Sequence, residues 1–331
     1  MKRISVALLV LLALVSCSKD ARRTADISNM DMEFHIQRFD SAFWNIDTAD
    51  TKQSMTLFAA KYPELAPIYI ERVMLMGRAC SDTAVTEFRN FRKYPAVVDV
   101  FTSTFEEYQD LSDIESQLKP ALLRLQVFLP QFKIPQFYAH ISFFNQNLLV
   151  GNDFISLSLD DYMGPDYCYY DSAGIYMYLR KNMRREKIPS DYLTALLASE
   201  MSIDPSSNLL SDMILHGKIL YTVSCLLPET DENVILGYTP EQLEWAEKNE
   251  KQMWKQMVES HVIYTTNIID KNKFTRDAPF TQPFGQDSPD RLGAFLGYKI
   301  VCAYMKNNQK VTIAQLLQNP DAQDILNHSN Y

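Results

Sequence analysis

The chain has 331 residues, of which 47% are hydrophobic and 22% are charged. This composition is typical of a folded globular protein and excludes low-complexity disorder for most of the chain. Its formal charge at pH 7 is −9, and loss of Lys2 and Arg3 with the signal described below leaves 30 basic and 41 acidic residues, or −11. We therefore expect no nucleic acid as a partner, because phosphate binding requires a basic field.

The first residues have the layout of a bacterial lipoprotein signal. Lys2 and Arg3 precede an apolar run over residues 4–15, and Ser16 and Cys17 follow it. A helix that spans a bilayer needs roughly 20 apolar residues, so this run is too short to serve as a membrane anchor. We expect cleavage between Ser16 and Cys17 and attachment of palmitate-type acyl chains to Cys17. Several such chains anchor a protein firmly, whereas one chain binds only marginally.

These features predict three segments. Residues 1–16 form the signal peptide, residues 17–30 comprise the lipidated cysteine and a polar tether, and residues 31–331 form a single domain. Residues 34–39 alternate in a way that suits a strand or extended arm, and the pattern from residue 51 to about residue 129 is helical. A repeat architecture has little support, because the Lys-Tyr-Pro triplet at residues 61 and 93 has no third copy.

A small sheet is predicted in the middle of the chain. Residues 137–144 and 154–159 alternate with a period of two, and a turn at residues 151–153 separates them. Six tyrosines follow within residues 162–178. Tyrosines of this kind more often pack a loop onto the core than form a sugar-stacking surface, and both interpretations remain open at this stage.

The remainder of the chain is predicted to be helical. Thr239, Pro240 and Gln242 match a capping box with proline at the first helical position, and Ser288-Pro289 suggests another helix start. Small residues at 293 and 297 indicate close packing between two helices within the protein. The predicted fold class is therefore α+β, mostly α-helical, with the small sheet followed by helices.

The sequence contains none of the common catalytic signatures that we considered. It has no H-E-x-x-H, G-x-S-x-G, phosphate-binding loop or dinucleotide fingerprint, and its five histidines have no histidine partner at helical spacing. A zinc site borne by one helix is therefore unsupported, and we expect neither a metal nor a cofactor. His216 is the histidine of interest, because it precedes Gly217 inside a long apolar helix.

An ordered series of motifs resembles the gliding-motility-associated lipoprotein family GldB. The series comprises YP (62–63), LLSDMILHGKILY (209–221), LLP (226–228), ILGYT (235–239), the helix between Trp245 and Trp254, APF (278–280) and RLGAFLGYKIV (291–301). No single motif is chemically diagnostic, and the order of the series is what is specific. The resemblance covers nearly the whole mature chain and implies a lipoprotein of the Bacteroidota phylum, which in gliding relatives takes part in assembling or operating the motility machinery.

The family in turn resembles predicted zinc metalloproteases, in which one helix carries H-E-x-x-H and the next supplies a glutamate before a glycine. On this chain the first motif falls on a helix at residues 199–203, with Ser199 and Ile203 in place of the two histidines and Glu200 in place of the general base. The later position falls on His216. A catalytic zinc needs three protein ligands, so the resemblance implies a degenerate, zincin-like site that has lost its metal.

The favoured hypothesis is a non-catalytic lipoprotein that scaffolds or serves a cell-envelope complex. We expect it to be anchored through Cys17, to face the periplasm from the outer membrane and to bind envelope proteins. The alternative is an envelope hydrolase, acting on peptides or glycans through an unrecognised site, with the tyrosines of residues 162–178 as a wall of its cleft.

Overall fold

The computed structural model describes residues 25–201, 204 and 206–331. The predicted cleavage and lipidation at Ser16 and Cys17, and the position of Ile203, lie outside these residues. The described chain is α+β and mostly helical, as the sequence predicts. The zincin-like resemblance remains a prediction.

The N-terminal half is a helical layer packed around aromatic side chains. It contains β1 (Gln37–Arg38), α1 (Phe39–Trp44), α2 (Thr51–Lys61), α3 (Leu65–Ile68), a π-helical turn (Tyr69–Val73), α4 (Asp82–Phe91), α5 (Pro95–Glu107) and α6 (Ser112–Phe128). Residues 34–39 are thus extended only briefly, and α1 begins at Phe39, whose ring is fully buried against Phe58, Tyr62 and Tyr69.

The predicted mid-chain strands form part of a mixed sheet, but the first is shorter than predicted, because residues 141–144 lie outside it. They are β2 (Gln136–His140) and β4 (Phe154–Ser158), and the sequence did not predict β3 (Leu148–Val150) between them. The strand order is β1-β2-β4-β3, with β1, β2 and β4 parallel and β3 antiparallel to β4. Every residue of β4 is buried, which is typical of a strand covered on both faces.

A buried acid fixes the loop that leaves β2. The Asp160 carboxylate accepts hydrogen bonds from the backbone amides of Ser142 and Phe144, at 3.1 and 2.9 Å, and from the Ser158 hydroxyl. These bonds hold Phe143 and Phe144 in the left-handed region, with φ of 57° and 62°. Such backbone strain persists only where the surroundings over-determine it, so Asp160 serves here to position a loop.

The C-terminal half contains the longest helices. Its elements are α7 (Tyr169–Ser172), α8 (Met177–Arg180), α9 (Ile188–Ser199), α10 (Leu209–Leu226), α11 (Glu232–Leu236), α12 (Pro240–Glu259), α13 (Ile268–Thr275), α14 (Leu292–Asn307), α15 (Ile313–Gln318) and α16 (Ala322–Ser329), with short 3₁₀ turns at Leu159–Tyr162, Arg185–Lys187, Val262–Tyr264 and Gln282–Phe284. Within the described residues, α10 is the helix long and apolar enough to cross a membrane, and 78% of it is buried inside the protein as a core helix.

Two glycines allow α10 and α14 to cross in backbone contact. A Cβ on Gly217 would lie 2.2 Å from the Gly297 carbonyl oxygen, and a Cβ on Gly297 would lie 1.8 Å from the Met213 carbonyl oxygen. Neither position therefore tolerates a side chain without moving a helix. The prediction of close helix packing within the protein is confirmed at residue 297.

The predicted helix starts have different outcomes. The capping box at Thr239 and Gln242 is present, with proline at the first helical position. The start predicted at Ser288-Pro289 is wrong, because α14 begins at Leu292. The Ser288 hydroxyl instead donates to the carbonyls of Gly285 and Thr281, and Arg291 takes a left-handed conformation with φ of 51° before the helix.

Candidate functional site

The residues matched to a metalloprotease motif lie at the end of α9. The helix ends at Ser199, whose hydroxyl donates to the Leu196 carbonyl at 2.8 Å, and Glu200 is the capping residue after it. The prediction of a helical motif over 199–203 is therefore wrong at Glu200. The sequence gives one local reason for an end before Asp204, because Pro205 disfavours helical backbone at the residue that precedes it.

Glu200 lines a cavity of about 720 Å³. One wall is a face of α10, the second is the segment after α9, and the third is the connection between α15 and α16. The lining includes Glu200, Met201, Asp204, Ser206, Ser207, Asn208, Ser211, Asp212, Ile214, Leu215, Lys218, Tyr264, Thr266, Leu317, Gln318, Asn319, Pro320 and Ala322. The cavity thus combines hydroxyl, amide and carboxylate groups with aliphatic side chains.

His216 is not one of the side chains that line this cavity. Burial lowers the pKa of His216, the nearby positive charge of Arg291 lowers it further, and the carboxylates of Asp212 and Asp277 oppose the change. A histidine in these surroundings is mainly neutral at pH 7. Glu200 therefore lines the cavity, whereas His216 is largely buried and is influenced by Arg291 and Asp277 as well as by Asp212 of the cavity wall.

An ion-pair network around Arg291 joins the start of α14 to the chain at the ends of α8, α11 and α13. The Asp290 carboxylate, only 1% exposed, lies 2.8 Å from the Lys181 ammonium, and the Arg291 Nε atom lies 3.0 Å from Asp277. Arg291 also donates from Nη2 to the carbonyls of Leu236 and Gly237, at 3.0 and 3.1 Å. Burial lowers the pKa of Lys181, and the charge of Asp290 opposes that change. Each of these charges has a partner of opposite sign.

Lys218 also lines the cavity and was not among the site residues predicted from the sequence. It lies on α10 two residues after His216, it is 5% exposed, and its ammonium donates to the backbone carbonyl of Asn319. Burial lowers the pKa of Lys218 to about 8. A lysine in the middle of an otherwise apolar helix was the available signal, because buried lysines are rare unless paired.

Several acids and tyrosines of residues 160–178 are packed into the core. Burial, together with the charge of Asp160, raises the pKa of Asp161 well above its ordinary value. Tyr162 and Tyr170 are buried, and their hydroxyls donate to Asp191 and to the Asp160 carbonyl. Loop-to-core packing therefore accounts for these two of the six tyrosines, whereas Tyr176 is exposed and stacks on Tyr178.

Among residues 25–201, 204 and 206–331, no group of three or more histidine, cysteine, aspartate and glutamate side chains is placed to hold a metal ion. In the described chain, the walls of the polar cavity carry the Lys218 ammonium, which has no acidic partner, and two exposed carboxylates, from Glu200 and Asp204.

Comparison with known proteins agrees with the resemblance read from the motifs. The family model described as gliding motility protein GldB matches residues 20–331. Neither a curated protein nor a solved structure matches the chain. Because the match covers nearly all of the sequence, the chain belongs to the gliding motility protein GldB family.

Proposed function

We propose that this gliding motility-associated protein is a non-catalytic lipoprotein that scaffolds or assists a cell-envelope complex. In this proposal the lipid on Cys17 holds the protein at the outer membrane, and the folded domain faces the periplasm and binds envelope proteins. Family membership supports the association with motility and with the envelope. The lipid has to provide the membrane attachment, because a mature charge of −11 repels an anionic lipid surface.

The separation of Glu200 from His216 carries the non-catalytic part of the proposal. A zinc hydrolase needs a general base within reach of a water molecule that three protein ligands help to activate. Glu200 lies after the end of α9 and lines the cavity, whereas His216 does not line it. This arrangement supports a relic of such a site.

Complementation of a deletion strain tests this point. Glu200→Gln keeps the shape of the side chain and removes its basicity, so a scaffold retains full function in the variant. Glu259→Gln, an exposed change on α12, is the matched control, and immunoblots confirm equal protein levels. Failure of well-folded Glu200→Gln to complement, with normal complementation by the control, would contradict the scaffold proposal.

The lipid anchor is tested by changing the attachment sulfur. Cys17→Ser removes the thiol at the processing site, so the precursor stays uncleaved and takes up no labelled palmitate. Cys168→Ser is the control, because Cys168 is an exposed thiol within the folded domain. Equal palmitate labelling of Cys17→Ser and the unmodified protein would rule out the anchor.

An envelope hydrolase remains the second candidate, and one observation favours it. The exposed Glu200 carboxylate lines the same cavity as Lys218, so a base and a cation border one space. Co-purification at native abundance separates the two functions. A stoichiometric protein partner supports the scaffold, whereas turnover of an envelope peptide or glycan without any partner supports the hydrolase.

A further inference from the structure

The cavity beside Lys218 is an elongated groove. Asn208, Ser211, Leu215 and Lys218 follow one another along α10 at intervals of three or four residues, so they share one face of the helix. A helix rises 1.5 Å per residue, which makes the floor from Asn208 to Lys218 about 15 Å long. Pro320 and Ala322 border the groove opposite the start of α10.

Lys218 differs from the other buried lysines in having no acidic partner. Lys181 lies 2.8 Å from Asp290, Lys271 lies 3.0 Å from Asp212, and Lys187 lies 2.9 Å from Asp191. Within the part of the chain that the structure describes, no carboxylate lies within 4.0 Å of the Lys218 ammonium, and its acceptor is the Asn319 carbonyl. A buried ammonium that faces a cavity without a counter-ion is suited to bind an anion.

The other charges on the walls restrict which anion fits. Asp212 is neutralised by Lys271 and accepts a hydrogen bond from the Ser207 hydroxyl at 2.7 Å. Glu200 and Asp204 remain as exposed carboxylates on the same walls. A phosphate with two charges would be repelled by these acids, whereas a single carboxylate placed at Lys218 meets one cation and avoids most of that repulsion.

The length and the mixed lining indicate what carries the carboxylate. An extended chain advances at most about 3.3–3.6 Å per residue, so about four residues fill 15 Å. The side chains of Ser211, Asn208 and Gln318 offer hydrogen-bonding groups to peptide units, and those of Ile214, Leu215 and Leu317 offer apolar contacts. This combination is typical of a groove that holds a peptide through its backbone and small side chains.

We propose that the groove along α10 binds the free carboxyl terminus of a short peptide, with Lys218 as the cation that pairs with the terminal carboxylate. The inference goes beyond the scaffold role and holds whether or not Glu200 has any chemistry. Loss of the Lys218 proton at high pH removes the pairing, so affinity for the carboxylate decreases as the pH rises above about 8.

Titration of two matched probes tests the proposal. The mature protein is purified in detergent, and acetyl-tetraalanine and its C-terminal amide are titrated at pH 7, with binding followed by calorimetry or by amide chemical shifts. Because hydrogen bonds to a charged group are stronger than neutral ones, we expect the acid to bind about tenfold or more tightly than the amide. Lys218→Met removes this preference, and Lys251→Met, an exposed change on α12, retains it.

A second variant, Lys218→Arg, tests the proposal if Lys218→Met does not fold. Lys218→Arg retains the positive charge, which does not titrate below pH 12, so the acid still binds better than the amide and the loss of affinity above pH 8 disappears. Equal binding of acid and amide to the unmodified protein, or no binding of either at millimolar concentration, would overturn the proposal. So would an acid preference that survives in folded Lys218→Met.

Discussion

Buried charges are paired with opposite charges on one side of α10, whereas the buried lysine on the other side has no acidic partner. On the side of His216, Arg291 and Asp290 belong to a network in which each charge lies within 3.0 Å of an opposite charge, through Asp277 and Lys181. On the side of Lys218, a lysine that is 5% exposed has only a backbone carbonyl as its acceptor and faces a cavity of about 720 Å³. Lys218 lies only two positions after His216 along the helix.

The difference shows which side is built for stability. Removing one partner of a buried ion pair leaves an uncompensated charge, so the Arg291 network has structural reasons to persist. A lone buried ammonium costs free energy on folding, and such a group is expected where function requires it. The proposed peptide site therefore lies on the Lys218 side of α10, and the ion pairs that we expect to maintain the fold lie on the His216 side.

The largest expected effect comes from breaking the network. Asp290→Ala leaves Lys181 and Arg291 without their buried partner, and we expect the free energy of unfolding to decrease by about 3–5 kcal/mol in chemical denaturation. Asp277→Ala is the control, because Asp277 is 55% exposed, and its loss is expected to cost at most about 1 kcal/mol. Equal effects of the two variants would show that burial does not distinguish these acids.

On the Lys218 side of α10, we expect removal of a buried charge to increase the free energy of unfolding. The pKa of Lys218 is about 8 in the folded protein and 10.5 as its ordinary value, so the unfolded chain binds the proton more tightly. Burial of this charge therefore destabilises the protein fully below pH 8, and the penalty disappears as the pH rises to about 10.5. We expect Lys218→Met to stabilise the protein by about 1–3 kcal/mol at pH 7 and by progressively less at higher pH.

Lys271→Met provides the matched control for that prediction. Lys271 is 1% exposed and pairs with Asp212, so its removal leaves a carboxylate without its cation and is expected to destabilise the protein at pH 7. The two variants delete the same charge from the same part of the molecule. Destabilisation by both would remove the distinction between a paired and an unpaired lysine.

The smallest effect is expected at the relic position. Glu200 is exposed and has no side-chain hydrogen bond within the described residues, so Glu200→Gln should change the free energy of unfolding by less than about 0.5 kcal/mol. Thermal and chemical denaturation at pH 7 measure this change. A loss of several kcal/mol would mean that Glu200 carries a structural interaction absent from this account.

Local patterns allowed some elements to be predicted and not others. The strands β2 and β4 follow from alternating side chains, and the α12 start follows from the capping residues Thr239 and Gln242, because these signals lie within a few residues. The short strand β3 has only three residues and depends on pairing with β4. The helix start predicted at Ser288-Pro289 was wrong because the Ser288 hydroxyl donates to carbonyls of the preceding turn and does not cap a helix.

The candidate site depended mainly on contacts between distant segments. The motifs indicated Glu200 and His216, but their separate environments arise from the end of α9 and from the position of Arg291, which is 75 residues beyond His216 in sequence. Lys218 could have been noted from its apolar surroundings on α10. Its lack of an acidic partner could not, because that depends on how the α15–α16 connection packs against α10.

The pKa of the Lys218 ammonium tests the central comparison most directly. It can be measured by NMR titration of the full mature protein with isotope-labelled lysine, assigned by comparison with Lys218→Arg, first alone and then with acetyl-tetraalanine. We predict a value near 8 that rises when the peptide carboxylate binds. A value near the ordinary 10.5 that does not change with the peptide would contradict it.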